Sequence, residues 1–338
     1  MPRGIIGFII FAALLMNLCA GGCGGTGTGR DLRKSIDELR QKATDGDAKA
    51  QLNLGGMYAS GHGMPQSDRE ALKWFRQAAE QGNAVAQNNL GVIYEKGRGV
   101  PRDNLEAMKW YRQAATQGDA SAQLNLGAIY REGQGVPRNY QEAIKWYRRA
   151  ADQGNVVAQF CLGVMYSEGQ GVPRDEWEAA KWYHRAAEQG YAKAQNNLGT
   201  MYHKGRGVSP NDQEAMKWYR QAAEQGDAMA QNNLGMMYNK GQGMPRDDVE
   251  GYAWIAIAAK NGAEKASAMQ AQIRNDLNAS QIAAVQQRAK EILFGLKNKR
   301  RLVELAEGQI VVPGNGQPEQ FASRSRGQHG PINKIRKT

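Results

Sequence analysis

The residues that most often carry chemistry in proteins follow no shared pattern in this sequence. The four histidines are His62, His184, His203 and His329. They form no His-x-x-x-His pair, and no Cys-x-x-Cys pair occurs, so the usual local ligand pairs of zinc sites are missing. Cys161 has no evident histidine partner, and the Gly-x-Ser-x-Gly elbow of serine hydrolases does not occur. The sequence therefore predicts no catalytic residue, no cofactor site and no metal site.

A repeated aromatic doublet offers the next candidate chemistry. It occurs as Trp110-Tyr111, Trp146-Tyr147, Trp182-Tyr183 and Trp218-Tyr219. Such rings can stack on a sugar, but this doublet lies in helical register with Ala107 and Ala114, which is typical of core packing. Residues 24–30 contain a Gly-x-Gly pattern without the Lys-Ser/Thr pair of a phosphate loop, and we interpret them as a flexible tether.

The doublets belong to an internal repeat of 36 residues. Its copies begin at Gly46, Gly82, Gly118, Gly154, Gly190 and Gly226. Six copies therefore fill residues 46–261, and a repeat of this length sets the whole fold. Within one copy, Ala86, Leu90, Ile93 and Tyr94 fall at i, i+4, i+7 and i+8, which predicts a first helix. A Gly-x-Gly stretch ends that helix, because glycine supplies the left-handed residue at a helix end.

The second half of each copy predicts a second helix. Asp103 and Glu106 stand three residues apart, the spacing of a capping box that satisfies the first free N–H groups of a helix. Ala107, Trp110 and Tyr111 then follow at helical spacing. Because one helix pair cannot bury both of its faces, neighbouring pairs must stack. We therefore predict an all-α fold, a right-handed α-solenoid of stacked helix–turn–helix repeats of 36 residues.

Two positions in the repeats carry more detailed expectations. Gly91 recurs in every copy, although a glycine inside a helix costs about 1 kcal/mol relative to alanine. We expect it to allow a close approach of the neighbouring helix, under the large Trp of the second half. Tyr191 stands where the other copies carry Asp or Asn as the cap of the first helix. We predict that Tyr191→Asp stabilises the protein by about 1 kcal/mol.

The repeat resembles a known family. A copy reads Ala-x-x-x-Leu-Gly-x-x-Tyr-x-x-Gly-x-Gly-Val and then Glu-Ala-x-x-Trp-Tyr-x-x-Ala-Ala-x-x-Gly. This pattern is similar to the Sel-one-like repeats, which are close relatives of tetratricopeptide repeats. The resemblance covers residues 46–261. It implies a scaffold or adaptor that holds other proteins or peptides, and it implies no catalytic residues.

Residues 1–23 predict an export signal. Arg3 precedes an apolar run that is too short for a comfortable membrane span. The small residues Ala20-Gly21-Gly22 before Cys23 resemble a bacterial lipoprotein box, which predicts lipidation of Cys23. The alternatives are a signal peptide that is simply cleaved and an uncleaved anchor.

The segments around the repeats complete the predicted organisation. Residues 24–45 predict the glycine-rich tether and an N-terminal capping helix, and residues 262–296 predict C-terminal capping helices. Residues 297–338 predict a basic disordered tail, with nine Lys and Arg against three Asp and Glu, or +6 of the formal net charge of +11. This tail could contact anionic lipid or cell-wall polymers, or it could simply be solvated. Nucleic acid fits the charge but conflicts with export, and we expect none.

Partner binding is expected on the concave face, which the first helices of stacked pairs usually line. Positions that all copies share hold the fold, whereas the varied positions of the first helix are free to specify a ligand. The predicted partner-binding residues are Asn88, Val92, Glu95, Leu124, Arg131, Phe160, Val164, Asn196, Thr200, His203, Asn232 and Met236. Phe160 and Arg131 are the strongest candidates, because aromatic residues and arginine dominate binding hot spots. Trp177 is a further candidate, as a surface aromatic. The asparagines of the Asn89 register either clamp a peptide backbone or bond between neighbouring repeats.

These observations predict a non-catalytic protein-interaction scaffold in a bacterial cell envelope. It is expected to be exported to the periplasm or anchored as a lipoprotein through an N-terminal lipid, and to bind a protein or peptide partner in the concave groove. The first alternative is a cell-wall or polysaccharide-binding module. The second, an envelope hydrolase, lacks an identifiable nucleophile or carboxylate pair.

Overall fold

The computed structural model describes residues 29–269 and 277–306, and its regular elements in these ranges are helices. The chain enters the repeats through α1 (Gly29–Thr44). The first helices of the six repeats are α2 (Ala48–Ser60), α4 (Ala84–Lys96), α6 (Ala120–Glu132), α8 (Val156–Glu168), α10 (Ala192–Lys204) and α12 (Ala228–Lys240). The second helices are α3 (Asp68–Glu80), α5 (Asn104–Thr116), α7 (Tyr140–Asp152), α9 (Glu176–Glu188), α11 (Asp212–Glu224) and α13 (Asp248–Lys260). Residues 264–269 are helical, and α14 spans Ala279–Ala306. Consecutive helices pack against one another, so the prediction of an all-α solenoid of 36-residue helix pairs is confirmed.

The helix boundaries follow from side chains in the sequence. The Asp103 carboxylate accepts hydrogen bonds from the backbone N–H groups of Leu105 and Glu106 at 2.9 and 3.0 Å, as the capping box predicts. At the C-terminal end of the first helix, Gly97 takes the left-handed conformation (φ 66°). Its N–H donates a hydrogen bond to the carbonyl of Ile93, which ends α4. The repeats thus start and stop their helices with their own residues, except that α10 begins after Tyr191 without a side-chain cap.

The glycine inside the first helix allows a close approach, but not under the residue that we predicted. An alanine Cβ at Gly91 would lie 2.5 Å from the ring of Tyr111, the tyrosine of the doublet. The expectation that the glycine lies under Trp110 is therefore wrong. Trp110 instead packs with Leu52 and Ala71 of the preceding repeat, so the tyrosine joins the two helices of one repeat and the tryptophan joins neighbouring repeats. The doublets are buried except for Trp146, which is partly exposed but still packs against the core, and this confirms core packing.

A row of buried glutamines runs through the stack. The amide nitrogen of Gln87 donates to the carbonyl of Ala79, in the preceding repeat, at 3.1 Å. The side-chain oxygen of Gln87 accepts from Gln117, at the end of its own repeat, at 2.7 Å. The same pair of bonds recurs at Gln51, Gln123, Gln159, Gln195 and Gln231, with Asn261 in place of the glutamine donor at Gln231. Because a buried amide is costly when it is unpaired, this row fixes the register of neighbouring repeats.

The two ends of the stack are covered by helices. At the first end, Leu39 and Ala43 of α1 pack against Leu54 and Trp74 of repeat 1. At the other end, Ile292 of α14 joins the core of repeat 6. The helix α14 continues through residues 297–306, so the prediction of a disordered tail that begins at residue 297 is wrong for this part.

The physical reason for the longer helix is local. Residues 297–306 contain neither glycine nor proline and are rich in Lys, Arg, Leu and Glu, which are good helix formers. The Nζ atom of Lys299 also lies 2.6 Å from a carboxylate oxygen of Glu224 on α11. The predicted signal, the lipidation of Cys23, most of the tether and the rest of the tail lie outside the described residues. None of the helices in the described ranges is long and apolar enough to cross a membrane.

Candidate functional site

The first helices α4, α6, α8, α10 and α12 form a surface that we call the first-helix face, and it carries the predicted partner-binding residues. Three of the twelve side chains are buried between repeats: Asn88, Leu124 and Asn196. They cannot touch a partner unless the repeats separate. The other nine are partly exposed: Val92, Glu95, Arg131, Phe160, Val164, Thr200, His203, Asn232 and Met236. These nine are the part of the predicted set that a partner can reach.

Hydroxyl groups of tyrosines on the second helices contact side chains of the first-helix face. The hydroxyl of Tyr111 donates to the Glu95 carboxylate at 2.7 Å, and the hydroxyl of Tyr219 donates to Thr200 at 2.9 Å. Burial, and then the charge of Glu95, raise the pKa of Tyr111 well above its usual value. The phenol therefore stays protonated and acts as a fixed donor. Because the glycine of the first helix has no side chain, the tyrosine ring fits beneath it and positions these polar groups.

Repeat 4 has a thiol on the buried side of its first helix. The Cys161 thiol is buried, and the nearby Tyr147 hydroxyl and the charge of Arg131 both act on it. Burial raises the pKa of the Cys161 thiol. The reactive form of cysteine is the thiolate, so this group is suited to packing and not to nucleophilic attack. The Arg131 guanidinium itself lies 3.3 Å from Glu132 at the surface.

The asparagines of the Asn89 register bond between repeats at two junctions. The amide of Asn125 donates to Asn88 at 3.0 Å, and the amide of Asn233 donates to Asn196 at 3.0 Å. At these positions the structure supports the second alternative, bonding between repeats, and not a peptide clamp. These hydrogen bonds between repeats also account for the burial of Asn88 and Asn196.

Repeats 4 and 5 carry residue types on the first-helix face that the other copies lack at the same positions, namely Phe160, Thr200 and His203. The ring centroid of Phe160 lies 5.8 Å from that of Tyr183 and 5.1 Å from that of Tyr191. Tyr191 makes no side-chain cap to α10, as its residue type predicts, but its ring packs on Phe160. In repeat 5, the Nδ1 atom of His203 lies 2.7 Å from the Asp212 carboxylate.

An open cavity of about 250 Å³ lies where these two repeats meet. Its polar lining comes from Ser167, Arg174, Glu176, Asn197, Thr200 and Arg206, and Tyr183 and Glu168 also line it. Of these residues only Thr200 belongs to the predicted partner-binding set, so both arginines, Arg174 and Arg206, were missed by the sequence analysis. The available signal was the register of Arg206, which holds Gln134, Gln170 and Gln242 in three other repeats.

Trp177 directly follows Glu176, which lines this cavity. It is 61% exposed, and the Nζ atom of Lys181 lies 5.0 Å from its ring centroid. An exposed tryptophan next to a polar cavity suits recognition of another molecule, because tryptophan and arginine are enriched among residues that dominate binding energy. Within residues 29–269 and 277–306, no three His, Cys, Asp or Glu side chains lie close enough together to hold a metal ion.

Comparisons with known proteins agree with this architecture. The Sel1 repeat model matches six consecutive segments: 48–83, 84–119, 120–155, 156–191, 192–227 and 228–262. A protective antigen of uropathogenic Escherichia coli strains, which displays an SLR fold, is 39% identical with a TM-score of 0.69. That match covers 76% of this chain and 56% of the antigen, so the chain spans little more than half the antigen's length. A Sel1 repeat protein from Oxalobacter formigenes is 36% identical with a TM-score of 0.60, over 67% of this chain and 99% of that protein. No curated protein matches this chain.

The fold and the face together define a class: an α-solenoid repeat protein whose shared residues build the stack and whose varied residues line one surface. Within that class, the chain belongs to the Sel1 repeat family. Proteins of this family are generally protein-interaction scaffolds, and their fold is typically non-catalytic.

Proposed function

We propose that this protein is a scaffold of the bacterial cell envelope that binds one protein or peptide partner along the concave, first-helix face. The observation that carries the proposal is that each repeat uses one set of positions for packing and another set for its exposed surface. Buried glycine, tyrosine, tryptophan and glutamine positions recur from copy to copy, whereas partly exposed positions such as Val92, Arg131, Phe160 and Thr200 differ. Export and attachment through Cys23 rest on the sequence of residues 1–23.

A preformed face suits this function physically. Its helices are held by the stack, so little conformational entropy is lost when a partner binds. Its polar groups are positioned by buried tyrosines, as Glu95 is by Tyr111 at 2.7 Å. Phe160 and Arg131 remain the side chains from which we expect the largest binding energy, because aromatic and arginine side chains dominate such surfaces.

The substitutions for the test introduce residue types that other repeats of the chain carry at the same position. Phe160→Leu introduces the residue type of Leu52 and Leu124 in the same register, and Arg131→Ser introduces that of Ser167. These changes keep residues that the repeat already tolerates. The matched control is Arg149→Gln on the second helix α7, where other repeats carry Gln77, Gln113 and Gln221.

Affinity capture from the native envelope, with quantitative mass spectrometry, compares the three variants with the unmodified chain. We expect one dominant protein that is depleted with Phe160→Leu and Arg131→Ser and retained with Arg149→Gln. Equal recovery with all three variants would refute the first-helix face as the binding surface. Recovery of cell-wall polymer instead of protein would favour the wall-binding alternative.

A further inference from the structure

We propose that the cavity between repeats 4 and 5 is the specificity site of the first-helix face. It takes one acidic side chain of a partner peptide, while an apolar neighbour of that residue packs on Trp177. This inference rests on the proposed function, because it names the peptide chemistry that the same face recognises.

The first observation is a free positive charge. Two arginines line the cavity, and the guanidinium of Arg174 is paired with the carboxylate of Glu176. In the part of the chain that the structure describes, Arg206 makes no ion pair, and its side chain is exposed. A carboxylate is the natural ligand for such a group, since a guanidinium offers several N–H donors in a planar fork that matches it.

The second observation is a backbone contact that places Trp177 beside Arg206. Gly207 approaches the carbonyl of Glu176 and the backbone nitrogen of Trp177 so closely that a Cβ atom there would overlap them. The loop that carries Arg206 therefore rests on the first turn of α9, which carries Trp177. The Arg206 guanidinium and the Trp177 indole therefore belong to two segments whose backbones are in direct contact.

The third observation limits the negative charge of the ligand. Glu168 also lines the cavity, and its carboxylate accepts a hydrogen bond from Gln170 at 2.6 Å. Its charge repels every carboxylate in the cavity, so one ligand carboxylate is favoured only in direct contact with the Arg206 guanidinium, and further carboxylates are disfavoured. The geometry therefore selects a peptide with one acidic residue in apolar or neutral surroundings, and it disfavours a polyacidic segment.

An arginine at the Arg206 position is combined with a tryptophan at the Trp177 position at one boundary, the one between repeats 4 and 5. At each boundary, the glycine that follows the Arg206 position contacts the start of the second helix of the preceding repeat, next to or at the Trp177 position. The other boundaries combine Arg98 with Arg69, Gln134 with Leu105, Gln170 with Gln141, and Gln242 with Gln213. Since these repeats form the same helices without the pair, the fold does not require Arg206 and Trp177 together.

The test uses the full chain and a displayed library of random short peptides. Selected peptides are synthesised with a fluorescent label, and their affinity is measured by anisotropy at low and high salt. The variants are Arg206→Gln and Trp177→Gln, each of which introduces the residue type found in the same register of other repeats. The matched controls are Arg98→Gln and Leu105→Gln in repeat 2, and circular dichroism confirms that every variant keeps its melting temperature.

We expect the selected peptides to share one Asp or Glu next to an apolar residue. Arg206→Gln should weaken their binding about tenfold or more, because it removes a charge-assisted bond. Trp177→Gln should weaken it by a similar factor, and the controls should leave it unchanged.

Two other outcomes overturn the inference in distinguishable ways. Peptides without an acidic residue, whose affinity falls with Phe160→Leu or Arg131→Ser but not with Arg206→Gln, would refute the cavity and leave the proposed function intact. If no selected peptide depends on any of these four residues, both the cavity and the first-helix face are refuted.

Discussion

The glycine inside each first helix gives the sharpest test of how the repeats pack. An added Cβ at Gly91 would lie 2.5 Å from both Cδ1 and Cε1 of Tyr111. Carbon atoms rest about 3.5–4.0 Å apart, so the ring would have to retreat by about 1 Å or more. The Tyr111 side chain is fully buried and its hydroxyl is held by Glu95, so the ring has little room to move.

The expected size of the effect follows from two opposing terms. Overpacking a close-packed core costs about 1–3 kcal/mol, and the better helix propensity of alanine returns about 1 kcal/mol. Because Tyr111 would also lose its bond to Glu95, we place Gly91→Ala near a net loss of about 2 kcal/mol. For a protein of this size that corresponds to a fall in melting temperature of about 3–4 °C.

Gly295 provides the matched control. It lies in the helix α14, and a Cβ there would meet nothing within 4 Å. Gly295→Ala should therefore raise the melting temperature, because only the propensity term acts. In a Tyr111→Ala background, Gly91→Ala should no longer destabilise. A rise in melting temperature for Gly91→Ala in the unmodified protein, measured by circular dichroism, would refute the packing argument.

Two further predictions concern single side chains. The contact between the rings of Tyr191 and Phe160 revises the stabilisation that the sequence predicts for Tyr191→Asp. The new cap gains about 1 kcal/mol while the lost ring contact costs about 0.5–1.5 kcal/mol, so we now expect no net stabilisation. In a Phe160→Leu background the same change should raise the melting temperature, and an equal rise in both backgrounds would contradict this. The pKa of Tyr111 in the folded protein exceeds its usual value of about 10. The contribution of Tyr111 to the free energy of unfolding is therefore complete below about pH 10 and is lost as the pH rises through the pKa of the folded state. Tyr111→Phe should lower stability at neutral pH, since Glu95 loses its donor, and should flatten the loss above pH 10 in urea denaturation; an unchanged alkaline slope would contradict it.

The repeat fold could be predicted from the sequence because each copy carries its own helix signals. The Asp103–Glu106 spacing fixed a helix start, and the bonds to the N–H groups of Leu105 and Glu106 confirm it. What the sequence could not decide was which side chain of the Trp-Tyr doublet covers Gly91. Both residues fit the buried stripe of a helix, and only the packing of the second helix against the first selects the tyrosine.

The candidate site could be predicted only in outline. Register analysis identified the varied positions of the first helices, but it could not show that Asn88 and Asn196 are buried by bonds to the next repeat. It also missed Arg206, because a charged residue in a loop is ordinarily solvated. The contact between Gly207 and the start of α9, which places Arg206 beside Trp177, depends on how two repeats meet.

The central claim is that a partner binds the first-helix face, and site-specific photo-crosslinking in the native cell tests it most directly. A photoreactive residue is placed at Arg131, Val164 or Met236 on that face, and at Lys73 or Lys145 on the second helices as controls. We predict that one partner protein crosslinks from the first three positions and not from the two controls. Crosslinks from the second helices alone, or none from the first-helix face, would contradict the account.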